Sequence, residues 1–241
     1  MKGIVLAGGL GTRLYPLTYA TNKHLLPVFD QPMIFYPLKT LVRAGITEVM
    51  IVVGGPHAGH FLRVLKNGAE LGLTHLEYAF QETEGGIADA LRLARNFADN
   101  DPIAVILGDN TTDADISPAV KKFRSGALIF LKSVPDPQRY GVPVFSRDRK
   151  KIIKIEEKPL KPKSNYAVTG LYLYDSQVFG IIRSLKPSSR GELEITDVNN
   201  AYIAKKELNW EILKGFWTDA GKFETLFTAN TYWAEKKQKS K

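Results

Sequence analysis

Three wholly apolar runs, each closed by glycine, constrain the fold of this chain more than any other feature. They are Ile4-Val5-Leu6-Ala7 before Gly8-Gly9, the stretch from Val49 to Val53 before Gly54-Gly55, and the stretch from Ile103 to Leu107 before Gly108. A strand that is apolar on both faces has no solvated side, so these runs predict parallel strands covered by helices above and below. Amphipathic stretches over 33–42, 58–68 and 86–97 fall between them and read as helices, with a further strand over 76–80. The alternation predicts a Rossmann-like α/β/α sandwich with a mostly parallel central sheet and right-handed crossovers. Ligands of such sheets bind beyond the carboxyl ends of the strands, which places residues 8–13, 81–86 and 108–110 along one rim.

The second half is less regular. Strands are expected over 127–133, 151–157, 166–174 and 210–213, and helices over 176–185 and 194–206. A terminal helix over 222–237 is expected to run into a solvated lysine tail, 236–241. Pro135-Asp136-Pro137 and the proline-rich stretch 158–162 read as turns, too short to separate domains. One domain over 1–241 is therefore expected, its later portion lending residues to the same cleft. A chain of 241 residues, 44% apolar, can bury a sizeable core without staples.

Cysteine is absent, which excludes disulfides, thiolate nucleophiles, iron–sulfur clusters and thiolate zinc sites. Of His24, His57, His60 and His75, only His57 and His60 are close in sequence, so a histidine metal site is not expected. The formal charge is +8, but Lys236, Lys237, Lys239 and Lys241 supply half of it. The rest forms no basic stripe, and no nucleic acid partner is expected. No apolar run approaches the roughly 18 residues that span a bilayer. The start, MKGIVLAGG, has no charged leader and cleavage site, so a cytoplasmic protein with no membrane partner is expected.

The motif Leu6-Ala7-Gly8-Gly9-Leu10-Gly11-Thr12-Arg13-Leu14 closes the first strand. Its glycines let the backbone approach a ligand, and consecutive amides can form an anion nest. It fails as a dinucleotide fingerprint, because Leu14 stands where the third glycine belongs, and as a Walker loop, because no Gly-Lys-Ser/Thr follows. A plain strand-to-helix turn with an exposed arginine is the competing reading. Lys23, ten residues past Arg13 and abutting the apolar run Leu25-Leu26-Pro27-Val28, could join Arg13 in a cationic clamp on phosphates. Asp109, at the tip of an apolar strand, suits either a hard cation or an ordinary turn. Gln81 ends a strand, where an amide can donate and accept toward a base edge. The cluster Ile155-Glu156-Glu157-Lys158 reads equally as a strand end with solvated charges.

Together GGLGTRLYPLT, NKHLLPV and QPMIFYPL resemble the opening of sugar-1-phosphate nucleotidylyltransferases, and among these the glucose-1-phosphate thymidylyltransferases. The resemblance continues in order through QETEGGIADAL, GDN, RYGV, IEEKP, NYAVTGLYLYD, RGELEITDVN and FWTDAG, covering residues 3 to about 221. It implies a nucleotide-diphospho-sugar transferase fold in which residues 1–115 mainly bind nucleotide and 116–235 mainly bind sugar phosphate.

It further implies a nucleotide site of Leu6, Gly8, Gly9, Gly11, Thr12, Arg13, Lys23, Gln81, Gly86 and Asp109, with Gln81 reading a pyrimidine. It implies a sugar-phosphate site of Asn110, Tyr140, Gly141, Glu157, Lys158, Val168 and Arg190, the stretch 190–194 being read as mainly a helix start with Arg190 a phosphate contact. Arg13, Lys23, Asp109 and Lys158 are the implied catalytic residues, and Mg²⁺ the cofactor, held by Asp109 and Asp219. The implied reaction joins dTTP, or UTP, to glucose 1-phosphate and releases pyrophosphate by direct in-line displacement. A nucleotide-sugar-binding regulatory protein without catalysis is the alternative. A homodimer is the expected assembly on frequency alone. Three departures from the family pattern bear on sugar preference: His24 beside Lys23, Thr111-Thr112-Asp113 after Gly-Asp-Asn, and Pro143 after Tyr-Gly-Val.

Overall fold

The computed structural model describes residues 1–239. In chain order its first half contains β1 (Lys2–Ala7), β2 (Pro27–Val28), β3 (Gln31–Pro32), α1 (Phe35–Arg43), β4 (Glu48–Gly54), α2 (Ala58–Leu65), β5 (His75–Gln81), α3 (Ile87–Arg92), α4 (Arg95–Ala98), β6 (Ile103–Leu107) and β7 (Asn110–Thr112). The second half adds α5 (Ser117–Lys122), β8 (Ala127–Ser133), β9 (Gly141–Phe145), β10 (Ile152–Glu157), β11 (Tyr166–Tyr174), α6 (Gln177–Ser184), α7 (Ile195–Ala204), β12 (Leu208–Ile212), β13 (Trp217–Asp219) and α8 (Phe223–Lys239).

Seven strands form one sheet in the order β12-β8-β11-β6-β1-β4-β5. The three apolar runs lie side by side in it, with β1 parallel to both β4 and β6. Ile4 and Leu6 enter one core with Met50, Val52, Val105 and residues of α3, α4, α6 and α7. Val5 and Ala7 enter the other with Ile51, Val53, Ala104, Ile106 and residues of α1 and α2. Successive side chains of a strand point to opposite faces, so burial on both faces demands the unbroken apolar runs observed.

The sheet is parallel except around β11, which runs antiparallel to both β6 and β8. The segment expected as one helix over 86–97 is two short ones, α3 and α4, broken at Leu93-Ala94. A third cluster lies outside the two main cores, where Leu226 and Ala229 of α8 pack on Leu14, Leu26, Val28, Met33 and Tyr36. Lys236 and Lys237, expected in a solvated tail, belong to α8: Lys236 Nζ lies 2.5 Å from Asp113 Oδ2, and Lys237 pairs with Asp30. Gln238 and Lys239 of that tail also belong to α8, and Ser240 and Lys241 lie outside the described residues. Among the described residues no helix is long and apolar enough to cross a membrane.

Candidate active site

Because β1, β4, β5 and β6 all point the same way, Gly8, Gly54, Gln81 and Gly108 meet at one end of the sheet. A cleft of about 420 Å³ opens there, and β9, β10, β11 and the start of α7 close its other side. Its wall includes Leu6, Gly8, Gly9, Arg13, Lys23, Gln81, Gly86 and Asp109 from the expected nucleotide set. It also includes Asn110, Tyr140, Gly141, Glu157, Lys158, Val168, Arg190 and Asp219. Gly11 and Thr12 are the two expected residues that do not line it. Gly11 turns with φ +73° behind Lys23, where a β-carbon would lie 2.7 Å from the lysine Cβ, and Thr12 is exposed on a single 3₁₀ turn over Thr12–Leu14.

The loop after β1 needs a firm floor, and Lys23 supplies it. Asn22 caps a 3₁₀ turn, its Oδ1 accepting the His24 backbone N–H at 3.0 Å and lying 2.7 Å from His24 Nδ1. His24, Leu26 and Val28 are buried, which holds Lys23 against the cleft. Its Nζ donates to Asp109 Oδ2 at 2.5 Å, with only 12% and 11% of the two side chains exposed. Burial lowers the His24 imidazole to about 3, with help from the Lys23 charge, so the ring is neutral. Burial alone would raise Asp109, but the Lys23 ammonium holds it well below the usual carboxylate range.

The second aspartate arrives from the far end of the sequence. β13 pairs antiparallel with β7, Asp219 opposite Asn110, and Ala220 N–H donates to the Asp109 carbonyl at 2.8 Å. Asp219 accepts from Arg139 Nη2 at 3.0 and 3.2 Å and from the Tyr140 hydroxyl at 2.9 Å. Burial raises its carboxyl, and the nearby charge of Asp109 raises it further. Two carboxylates on one cleft wall, the second raised by the charge of the first, are an oxygen donor set of the kind a hard divalent cation takes. Among the described residues no cluster of three or more His, Asp or Glu residues forms a complete protein cage.

On the opposite wall β9 and β10 set Gly141 opposite Glu157. Glu157 Oε2 accepts from Thr196 Oγ1 at 2.5 Å, and Oε1 lies 3.5 Å from both Lys158 Nζ and Arg190 Nη2. Arg190 is held more closely by Glu194 Oε1, at 2.7 Å. Asn110 braces the wall: its Oδ1 accepts from Gly170 N and Trp217 Nε1 at 3.1 and 2.8 Å, and its Nδ2 donates to Asp109 Oδ1 at 3.0 Å. Sequence reasoning missed Arg139, Thr196 and Glu194 as members of the site. Arg139 opens the block RYGV, and the two others lie in RGELEITDVN, so the signal was present in motifs read only in part.

The family described as Nucleotidyl transferase matches residues 2–236. A glucose-1-phosphate thymidylyltransferase of Actinoplanes sp. is 44% identical over 237 residues, covering 96% of this chain and 78% of its own length. One of Mycobacterium tuberculosis is 45% identical over 234 residues, covering 95% and 81%. A Bacillus anthracis structure, assigned as a glucose-1-phosphate thymidylyltransferase and complexed with sucrose, is 51% identical with a TM-score of 0.91, covering 96% of this chain and 94% of that one. A UDP-glucose pyrophosphorylase complexed with UDP-glucose is 25% identical with a TM-score of 0.84 and 98% coverage of both chains. With a cleft of this make-up at the carboxyl ends of its strands and a match over nearly its whole length, the chain belongs to the nucleotidyl transferase family.

Proposed function

We propose that this enzyme transfers a thymidylyl group from dTTP to glucose 1-phosphate, giving dTDP-glucose and pyrophosphate, with UTP as the second-best donor. The observation that carries the reading is the convergence on one cleft of Lys23–Asp109 from the first half and Glu157–Lys158 from the second. The names of the relatives supply the substrates.

In this reading the amides of Gly8 and Gly9 and the Arg13 guanidinium receive the triphosphate, and Gln81 meets the base. Lys23 lies along the α-phosphate, while Lys158 neutralises the incoming phosphate and Glu157 accepts from sugar hydroxyls. A phosphate oxygen of the sugar phosphate forms a bond to the α-phosphorus as the bond to the β-phosphate oxygen breaks, and pyrophosphate leaves on the opposite side. No protein nucleophile is required, so the chain's task is positioning and charge stabilisation. Asp109 and Asp219 would hold Mg²⁺, which when bound neutralises charge on the phosphates. Arg139 and Tyr140 orient Asp219 for that role.

The test is pyrophosphate release with glucose 1-phosphate, Mg²⁺ and each of dTTP, UTP, CTP, ATP and GTP in turn. Turnover confined to dTTP and UTP is expected, dTTP ahead by the worth of one fitted methyl group, about 1–3 kcal/mol. Release with a purine triphosphate alone overturns the role of Gln81, and binding without release favours a regulatory protein.

A further inference from the structure

We propose that Asp89 is a positioning residue that fixes the hydrogen-bonding polarity of Gln81 and thereby makes the cleft select thymine or uracil over cytosine. This rests on the reading of Gln81 as the residue that meets the base.

The geometry is a relay of three side chains. Asp89 stands in the first turn of α3, and its side chain leans back toward the start of the helix, as helical side chains do. Arg92, one turn on, donates to Asp89 Oδ1 from Nη2 at 2.8 Å and from Nε at 3.3 Å. Both contacts fall on the same oxygen, which leaves Oδ2 for Gln81 Nε2 at 3.1 Å. The second Gln81 amide proton is directed to the Gly86 carbonyl at 3.4 Å.

With both N–H groups turned inward, Gln81 offers the cleft its carbonyl oxygen. That oxygen lies against Gly8, where a β-carbon would approach it to 2.5 Å. Gly85 is part of the same arrangement, because a β-carbon there would sit 2.7 Å from Asp89 Oδ2. A carboxylate can only accept, so it tolerates only the amide nitrogen beside it and settles which end of Gln81 faces the ligand.

The polarity carries the chemistry. Thymine and uracil present N3–H, a donor that an acceptor oxygen satisfies. Cytosine presents an unprotonated N3, and two acceptors facing each other in a desolvated cleft cost a full hydrogen bond. Discrimination by such mismatch exceeds what a methyl group provides.

The experiment compares kcat/KM for dTTP and dCTP in wild type, Asp89→Ala, Asp89→Asn and Gln81→Ala. Asp89→Ala removes the shorter of the two contacts that hold the amide and leaves only the 3.4 Å one to the Gly86 carbonyl, so the dTTP preference should fall about tenfold or more, as expected for a weakened hydrogen-bond readout. Asp89→Asn should lower it further. Arg92 can only donate and so keeps the asparagine oxygen, and the asparagine amide then faces Gln81 and favours, against the long contact to the Gly86 carbonyl, the flipped glutamine whose N–H groups suit cytosine. The change should appear in KM for the nucleotide, with kcat and the KM for glucose 1-phosphate unmoved, since base contacts contribute equally before and during the displacement. That graded order is not expected of a side chain that merely stabilises α3. If Gln81→Ala abolishes the preference while both Asp89 variants retain it, Asp89 does not orient the amide. If Gln81→Ala itself retains the preference, Gln81 does not read the base and the proposal falls with it.

Discussion

At the residue scale the site is a set of charges held in fixed opposition. Lys23 and Asp109 face each other with little solvent access, and each is the other's partner. Lys23→Ala should lower kcat about 10²-fold, the usual cost of removing a preorganised electrostatic group. Steady-state kinetics within tenfold of wild type would remove Lys23 from the mechanism. His24 next to it yields a stability prediction whose sign is fixed. Its imidazole is lowered from the ordinary 6.5 to about 3, chiefly by burial, so the native protein leaves it neutral while the unfolded chain protonates it. Its contribution is therefore fully present above pH 6.5 and is lost as pH falls toward 3, at up to about 1.4 kcal/mol per pH unit. Urea unfolding at pH 6.5 and 4.5 should show wild type losing about 2 kcal/mol more than His24→Gln over that interval. Equal losses in the two proteins would mean that the ring titrates normally in the native state.

At the element scale the central strands were legible in the sequence and the small pairs were not. β1, β4 and β6 are covered on both faces over residues 4–7, 49–53 and 103–107, so those residues had to be apolar and each run announced itself. β7 and β13 are three-residue strands whose partners are more than a hundred residues apart. Nothing local marks such a pair, yet it is what brings Asp219 to Asp109. β9 was hidden by Pro143, which sits in a two-stranded pair rather than in the main sheet and so breaks no essential ladder. The motifs contain most of the cleft wall, Arg139 and Thr196 included, and also Asp89, but do not say which of their residues meet, because partners depend on packing across elements. Gly170 of β11 shows how tight that packing is. A β-carbon there would lie 2.7 Å from Asn110 Oδ1 and 2.7 Å from Leu107 Cδ1, both in the braced wall behind Asp109. Gly170→Ala should destabilise the fold by about 1–3 kcal/mol, the cost of overpacking, and should lower kcat by displacing Asn110. Thermal unfolding and turnover together test this; an unchanged kcat would show that Asn110 is not tied to the position of Asp109.

At the scale of the whole molecule, the end of the chain and its beginning are fastened to the same structure. α8 buries Leu226 and Ala229 against Leu14, which follows Arg13, and against Leu26 and Val28, which follow Lys23. Ala220, in the same cluster, is the neighbour of Asp219. Trp233 packs over this cluster from the helix, its ring 4.6 Å from that of Tyr36, and is not among the residues that line the cleft. Its removal should therefore act on catalysis only through the support of the loops that carry Arg13, Lys23 and Asp219. A fully buried tryptophan costs about 3–5 kcal/mol when cut to alanine, and this half-buried one should cost about 2–3 kcal/mol. Trp233→Ala should accordingly unfold at lower temperature and, assayed well below that temperature, turn over more slowly with its base preference intact. In the proposed reading base preference belongs to Gln81 and Asp89 at the β5–α3 end of the cleft, and neither residue is part of the cluster that α8 covers. A variant with lowered stability but full kcat would separate α8 from the reacting groups and leave it a purely structural cover.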